Sequence, residues 1–336
     1  MNDFWNLTDK QRRTVITQTA NKANLPEQAI EKDLWVTTIL QLVFSLPYAN
    51  HLLFKGGTSL SKGWRLIERF SEDIDLAIDR KLFNIEGDLT TKQIKKLRKQ
   101  SSLFVREEFY MALQDAVCRY GMQQHCEVKP EGNGEGDNTY PEPRKIFIRY
   151  HSLFDKLDYL SSEIVLEIGA RSLIEPTEVL SINSLISERL PIQTALATPR
   201  IIVALPKKTF LEKAFLLHEL FTGDGDKTAN RKSRHLYDLE KMMDKEFAVE
   251  AIADTDLWNN IQHHRSVFTS MKGVDYQSDI RHHICLIPPQ QVMSNWKQDY
   301  ESMKQSMIYE KEPLRFEELI HRIEELQNRF HGHSPS

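Results

Sequence analysis

The sequence predicts an α+β protein, with a strand-rich core lying between a helical N-terminal segment and a helical C-terminal domain. Three observations carry this. Apolar residues recur at helical spacing within the first fifty positions. From 51 to about 206 the pattern turns to short apolar or alternating runs bounded by Gly, Pro or polar clusters, the expectation for strands. From Lys207 onward the helical period returns. The expected divisions are therefore 1–50, 51–206 and 207–336.

In the first segment Pro26 suits a first helical turn, and Ile30, Leu34, Leu42 and Leu46 recur at helical spacing until Pro47 stops the run. In the core, strands are expected at His51–Lys55, Ile74–Ile78, Lys145–Tyr150, Ile164–Ile168, Val179–Ile182 and Arg200–Ala204. A long helix over roughly Thr91–Tyr120 interrupts them. Residues 131–143, EGNGEGDNTYPEP, are rich in Gly, Pro and acids and mark an exposed loop. Helices are expected near 207–222, 234–244, 246–268 and 290–330, and HGHSPS at the C-terminus reads as a frayed tail.

A chain of 336 residues with 40% hydrophobic and 27% charged content has the composition of a soluble globular protein. The net charge of −4 provides no global basic field, so any nucleic-acid partner must be held by a local patch. Cys118, Cys126 and Cys285 form no CxxC pair, which points to free, buried thiols in a reducing compartment. The start, MNDFWNLTDKQRR, lacks the apolar region of a secretory signal. The most apolar stretch, Leu34 to Leu46, is broken by Thr37, Thr38, Gln41 and Ser45 and is too short to span a bilayer. A cytoplasmic protein without a membrane partner is expected.

The stretch FKGGTSLSKGWRLIERFSEDIDLAID carries the chemistry. An apolar run ends at Lys55. Gly56 and Gly57 then allow the backbone to approach a ligand without a Cβ in the way. Thr58, Ser59 and Ser61 open a helix expected to run through Leu66. Strand, Gly-Gly turn and helix N-terminus together gather unpaired N–H groups, a site suited to a triphosphate. In EDIDLAID the side chains alternate, so Asp73 and Asp75 face one side while Ile74, Leu76 and Ile78 face the other. Two like charges so close repel unless a cation lies between them, and such hard oxygen donors suit Mg²⁺ or Mn²⁺. By itself this pair would equally fit a solvated strand face. A phosphate cradle directly followed by a carboxylate pair is what metal-assisted phosphoryl or nucleotidyl transfer from an NTP requires.

These residues resemble the DNA-polymerase-β-like nucleotidyltransferase superfamily, with its Gly-Gly or Gly-Ser turn followed by an acid–x–acid pair on the next strand. KGGTSL…RFSEDIDL is similar, more narrowly, to the AbiEii/AbiGii toxin nucleotidyltransferases of abortive-infection and type IV toxin–antitoxin systems. So are EKD at Glu31–Asp33, FLEKAFLLHE at 210–219 and SRHLYDL at 233–239. The 15 residues between Gly57 and Asp73 are usual for that branch. The resemblance implies a polymerase-β-like core, a mixed sheet with helices, and Asp73 and Asp75 as catalytic metal ligands. It implies Lys213 and Asp238 as further catalytic residues, beside the nucleotide-binding turn expected at Lys55, Gly56, Gly57, Thr58 and Ser59. It also implies transfer of NMP to an RNA acceptor, a tRNA 3′ end, with a toxic outcome restrained by a separate antitoxin.

The residues themselves leave alternatives open. Lys213 shares a helix face with Thr209, Leu216, Leu217 and Leu220, and reads as a lysine snorkelling from an apolar stripe or as a cation for triphosphate charge. Asp238 follows Arg234 by one helical turn, and an exposed i,i+4 ion pair is the plain alternative. Arg231, Lys232, Arg234 and His235 form a basic cluster, either a solvated loop or an edge contacting phosphate or RNA. In EIVLEIGAR, Glu167 is the candidate third acid or base, although an outward-facing edge strand would look the same. The pairs His263–His264 and His282–His283 stand at no zinc-like spacing and read as helical surface. Transfer of NMP to a protein side chain and a nucleotide-binding regulator without catalysis are the competing functions. Retention of both acids speaks against the second.

Overall fold

The computed structural model describes residues 4–71, 73–134, 139–155, 161–195 and 200–332. Glu72 of the EDID run, part of the loop expected at 131–143 and the last four residues of the expected tail lie outside them. Two compact units form: Met1–Gly63 with Phe70–Ala204, and Trp64–Arg69 with Leu205–Ser336.

The first unit opens with α1 (Asp9–Ala23) and α2 (Glu27–Val43). Thr8 and Gln11 form a capping box at the start of α1, and Asn24, in the left-handed region, ends it ahead of Pro26. Helix α2 is buried almost all round, its polar residues included. The tripeptide Glu31–Lys32–Asp33 explains why those charges are tolerated, since each satisfies a different loop. Glu31 accepts from Leu153 N at 2.8 Å and from Ser152 Oγ at 2.5 Å. Lys32 donates to the carbonyls of Ser161 (2.9 Å) and Glu163. Asp33 accepts from Lys62 and from Leu185 N at 2.7 Å.

The described sheet has seven strands: β1 (Leu52–Lys55), β2 (Asp73–Ile78), β3 (Cys126–Pro130), β4 (Arg144–Tyr150), β5 (Glu163–Gly169), β6 (Thr177–Leu180) and β7 (Ile201–Ala204). Their order is β3-β4-β5-β2-β1-β7-β6, with β2–β5 and β1–β7 parallel and the other pairs antiparallel. The expected mixed sheet and α+β class are thus observed. Ile74, Leu76 and Ile78 of β2 and Ile164, Leu166 and Ile168 of β5 are at most 1% exposed. Each such side chain contributes about 1.5–3 kcal/mol by leaving water. A one-residue slip would expose all of them and bury the aspartates, so this apolar face fixes the register that aims Asp73 and Asp75.

Several boundaries differ from expectation. The helix after the Gly-Gly turn is α3 (Gly56–Thr58) followed by a π-helical stretch Ser59–Gly63, and it stops short of Leu66, with Arg65 in the left-handed region at φ +55°. The long helix is α4 (Thr91–Phe104) and α5 (Tyr110–Arg119) joined by a π-helical turn. Strand β3 and the short α6 (Leu185–Arg189) were not anticipated. Cys118 is exposed, because Leu113, Ala116 and Val117 form the inward face of α5 and Cys118 points away from it.

The second unit is helical: α7 (Pro206–Thr222), α8 (Arg234–Met242), α9 (Glu246–Ala253), α10 (Thr255–Phe268), α11 (Met293–Ser306) and α12 (Phe316–Phe330). The helix expected over 246–268 breaks at Asp254, whose carboxylate caps α10 through Leu257 N at 3.0 Å. The one expected over 290–330 breaks between Ser306 and Phe316, where Ile308 bridges to Arg69. Among the described residues, no helix is long and apolar enough to cross a membrane.

Candidate active site

In the first unit the site is built on the centre of the sheet. The register Lys55↔Asp75, Asp75↔Glu167 and Lys145↔Glu167 sets four charged residues in one row across β1, β2, β5 and β4. Asp73 lies two residues before Asp75 on the same half-buried face. The Gly-Gly bend meets this row directly. Gly56 has φ +77°, a conformation that glycine adopts without strain, and a Cβ placed on it would lie 2.8 Å from the Asp75 carboxyl carbon and closer still to its Oδ2. Glycine is therefore required twice at this position. Expected bend and expected acids come together.

The hydroxyls expected in the cradle are turned inward. Thr58 donates to the Asp73 carbonyl, Ser59 to the Gly56 carbonyl at 2.9 Å and Ser61 to the Thr58 carbonyl at 3.2 Å. Thr58 thus ties the turn to β2, Ser59 closes it on the Gly56 carbonyl through its hydroxyl and its N–H, and the earlier N–H groups of the turn are what remains to meet an anion.

Glu167 stands beside Asp75, but its carboxylate pairs with Lys145 at 2.8 Å. That hydrogen bond, with further attraction from Asp73 and Glu131, holds the Lys145 ammonium above its ordinary range against the opposing effect of burial. Among the described residues no group of three or more His, Cys, Asp or Glu is arranged to hold a metal ion. The donor set for a cation is the two aspartates. That fits a hard divalent ion of the Mg²⁺ type, which keeps waters and takes substrate phosphates alongside one or two carboxylates. Lys145 was not anticipated, although the alternation in RKIFIRY placed it on the outward face opposite Glu167.

The remaining candidates lie in the second unit. Asp238 is fully buried, and its partner is not Arg234 as an i,i+4 pair would require. Arg69 grips it with two N–H groups, each at 2.7 Å, and Lys213 Nζ lies 2.9 Å from Oδ2. Burial alone would raise the Asp238 carboxyl, but Arg69 and Lys213 outweigh it and hold it well below the usual carboxylate range. Lys213 is 8% exposed; burial first, then Arg69, pulls its ammonium down, while Asp238 opposes. Its second partner is His235 Nδ1 at 3.3 Å. Burial, with Lys213 and Arg234 nearby, pushes His235 well below its usual value, so it is neutral and accepts from the ammonium. Glu68 N donates to Tyr237 OH at 3.3 Å, extending the same anchorage of residues 64–69. Arg69 was missed because nothing periodic in WRLIERF distinguishes it.

Of the expected basic cluster, Arg231 is exposed and Lys232 and Arg234 are half-buried. The turn that leads into α8 is already held by a carboxylate: Asp299 accepts from Arg231 N at 2.6 Å, Ser233 N at 3.0 Å and Ser233 Oγ at 2.5 Å. An anion at this turn would have to displace it.

A family model described as nucleotidyl transferase AbiEii toxin, type IV TA system, matches residues 40–322. No individual curated protein matches the chain. The match spans the Gly-Gly bend, the aspartate pair, Lys213 and Asp238 together. The chain belongs to the AbiEii nucleotidyltransferase toxins of type IV toxin–antitoxin systems, transferases that act on an NTP.

Proposed function

We propose that this protein transfers an NMP from an NTP to an RNA acceptor, a tRNA 3′ end, in a reaction dependent on Mg²⁺ or Mn²⁺. The observation that carries the reading is the abutment of Gly56 on Asp75, which sets a bend of backbone N–H groups beside two outward carboxylates. Asp73 and Asp75 are the residues that would hold the divalent ion; when bound, it supplies Lewis-acid activation at the α-phosphate.

The chain's own groups do the rest. N–H groups of the turn at Gly56, Gly57 and Thr58, beside Lys55, hold the β- and γ-phosphates, while the Ser59 N–H closes the turn on the Gly56 carbonyl. The acceptor hydroxyl oxygen attacks the α-phosphorus, the bond to the bridging oxygen breaks, and pyrophosphate leaves. Glu167, beside Asp75 and paired through Oε1 with Lys145, is the base in this reading rather than Asp238, which is fully buried with both oxygens committed to Arg69 and Lys213. The resemblance alone carries Lys213 and Asp238 into the reaction. With Arg69 they form a cluster of two cations and one anion, and the surplus positive charge suits Lys213 to offset charge on departing pyrophosphate. Arg231, Lys232 and Arg234 are the proposed RNA contacts; His235, being neutral, adds no charge there. A separate antitoxin that restrains the activity is the implied partner.

Incubation with α-labelled NTP and either tRNA or total protein tests the acceptor. Label in the tRNA fraction is the expected result. Label confined to protein would assign the competing reaction, transfer to a side chain.

A further inference from the structure

We infer that Asp33, acting through Lys62, is a positioning residue of the phosphate-binding turn; this rests on the proposed reading of that turn. The geometry lies within the first unit. Both oxygens of Asp33 are committed, Oδ1 to Lys62 Nζ and Oδ2 to Leu185 N at 2.7 Å. Lys62 also donates to the Asn183 carbonyl at 3.0 Å. The two side chains are only 10% and 14% exposed, so their attraction is far less screened than that of a surface pair.

Lys62 sits near the end of the helical run that begins at Gly56. The bonds of Ser59 to the Gly56 carbonyl and of Ser61 to the Thr58 carbonyl make that run a single stiff piece. At the α-helical rise of about 1.5 Å per residue, an upper limit here because Ser59–Gly63 is π-helical, Lys62 is at most about 9 Å from Gly56 along the axis. A tilt of about 10° at the anchored end would move the bend by up to about 1.5 Å, against a spread of about 0.5 Å for good N–H···O bonds. The opposite end of the run already touches Asp75. Asp33 and Asn183 therefore set the direction in which the first-turn N–H groups point. This gives a role to the acidic end of the EKD tripeptide, which the proposed reaction does not otherwise use.

The test is equilibrium binding of each of the four NTPs with Mg²⁺ to the full chain, well below the melting temperature of each variant. Asp33→Asn and Lys62→Met are each expected to weaken binding about tenfold. The double variant should fall no further than the weaker single, since both remove one interaction. Lys62→Arg, which keeps a cation in reach of Asp33, should stay within about threefold of wild type. Lys62→Met leaves the Asp33–Leu185 bond in place, so it decides the matter if Asp33→Asn folds poorly. Wild-type affinity in Lys62→Met, whatever its melting temperature, overturns the positioning role alone. Failure of the wild-type protein to bind any NTP overturns the proposed function and this inference with it.

Discussion

Gly56 is where one residue joins the two halves of the candidate site. Replacing it by Ala forces a side chain into the left-handed region, at a cost of about 1–2 kcal/mol, and drives a Cβ into the Asp75 carboxylate. The bend or the carboxylate must move, and a displacement of about 1 Å in such a site lowers turnover about a hundredfold. Gly56→Ala is therefore expected to lose about two orders of magnitude in NTP turnover with only a modest fall in melting temperature. A second residue-scale expectation concerns pH. Burial pushes the Glu142 carboxyl up to about 7 from a usual value near 4.5, despite the hydrogen bond from Ala170 N and the nearby Arg171 and Arg98. The folded state then holds the proton more tightly than the unfolded chain does. The stabilisation is fully present below about pH 4.5 and is lost as pH rises through about 7. It amounts to at most about 3 kcal/mol. Glu142→Gln should flatten the decline in melting temperature between those values, and an unchanged profile would place the titration elsewhere.

Among the elements, β2 and β5 were legible in the sequence because Ile and Leu at every second position, with acids at most of the positions between, are themselves the physical cause of their orientation. Strand β3 was not, since five residues with Glu127 and Lys129 outward make a weak edge signal. Helices were legible as periods but not as pieces: Asp254 and the 307–315 stretch interrupt them without disturbing the apolar count. The partner of Asp238 was illegible for another reason. Arg234 is the neighbour in sequence, whereas the actual partner, Arg69, is 169 residues away and was chosen by burial. Because that carboxylate sits between two buried cations, Asp238→Asn should destabilise the second unit by about 3–5 kcal/mol, read as a shift in its denaturant midpoint. A neutral effect would mean that water reaches the cluster.

At the scale of the whole molecule, the chain is a sheet-bearing unit and a helical unit, and membership of the AbiEii family makes it a nucleotidyltransferase. The net charge of −4 leaves any RNA to be held by local groups. The central claim is that Asp73 and Asp75 hold the catalytic divalent ion beside the Gly56–Gly57 bend. Its most direct test is mass spectrometry of tRNA after incubation with each NTP in Mg²⁺, using wild type, Asp73→Ala and Asp75→Ala. The account expects a gain of one or more nucleotide masses with wild type, and none with either variant although both fold normally. Nucleotide addition by Asp75→Ala at the wild-type rate would contradict it.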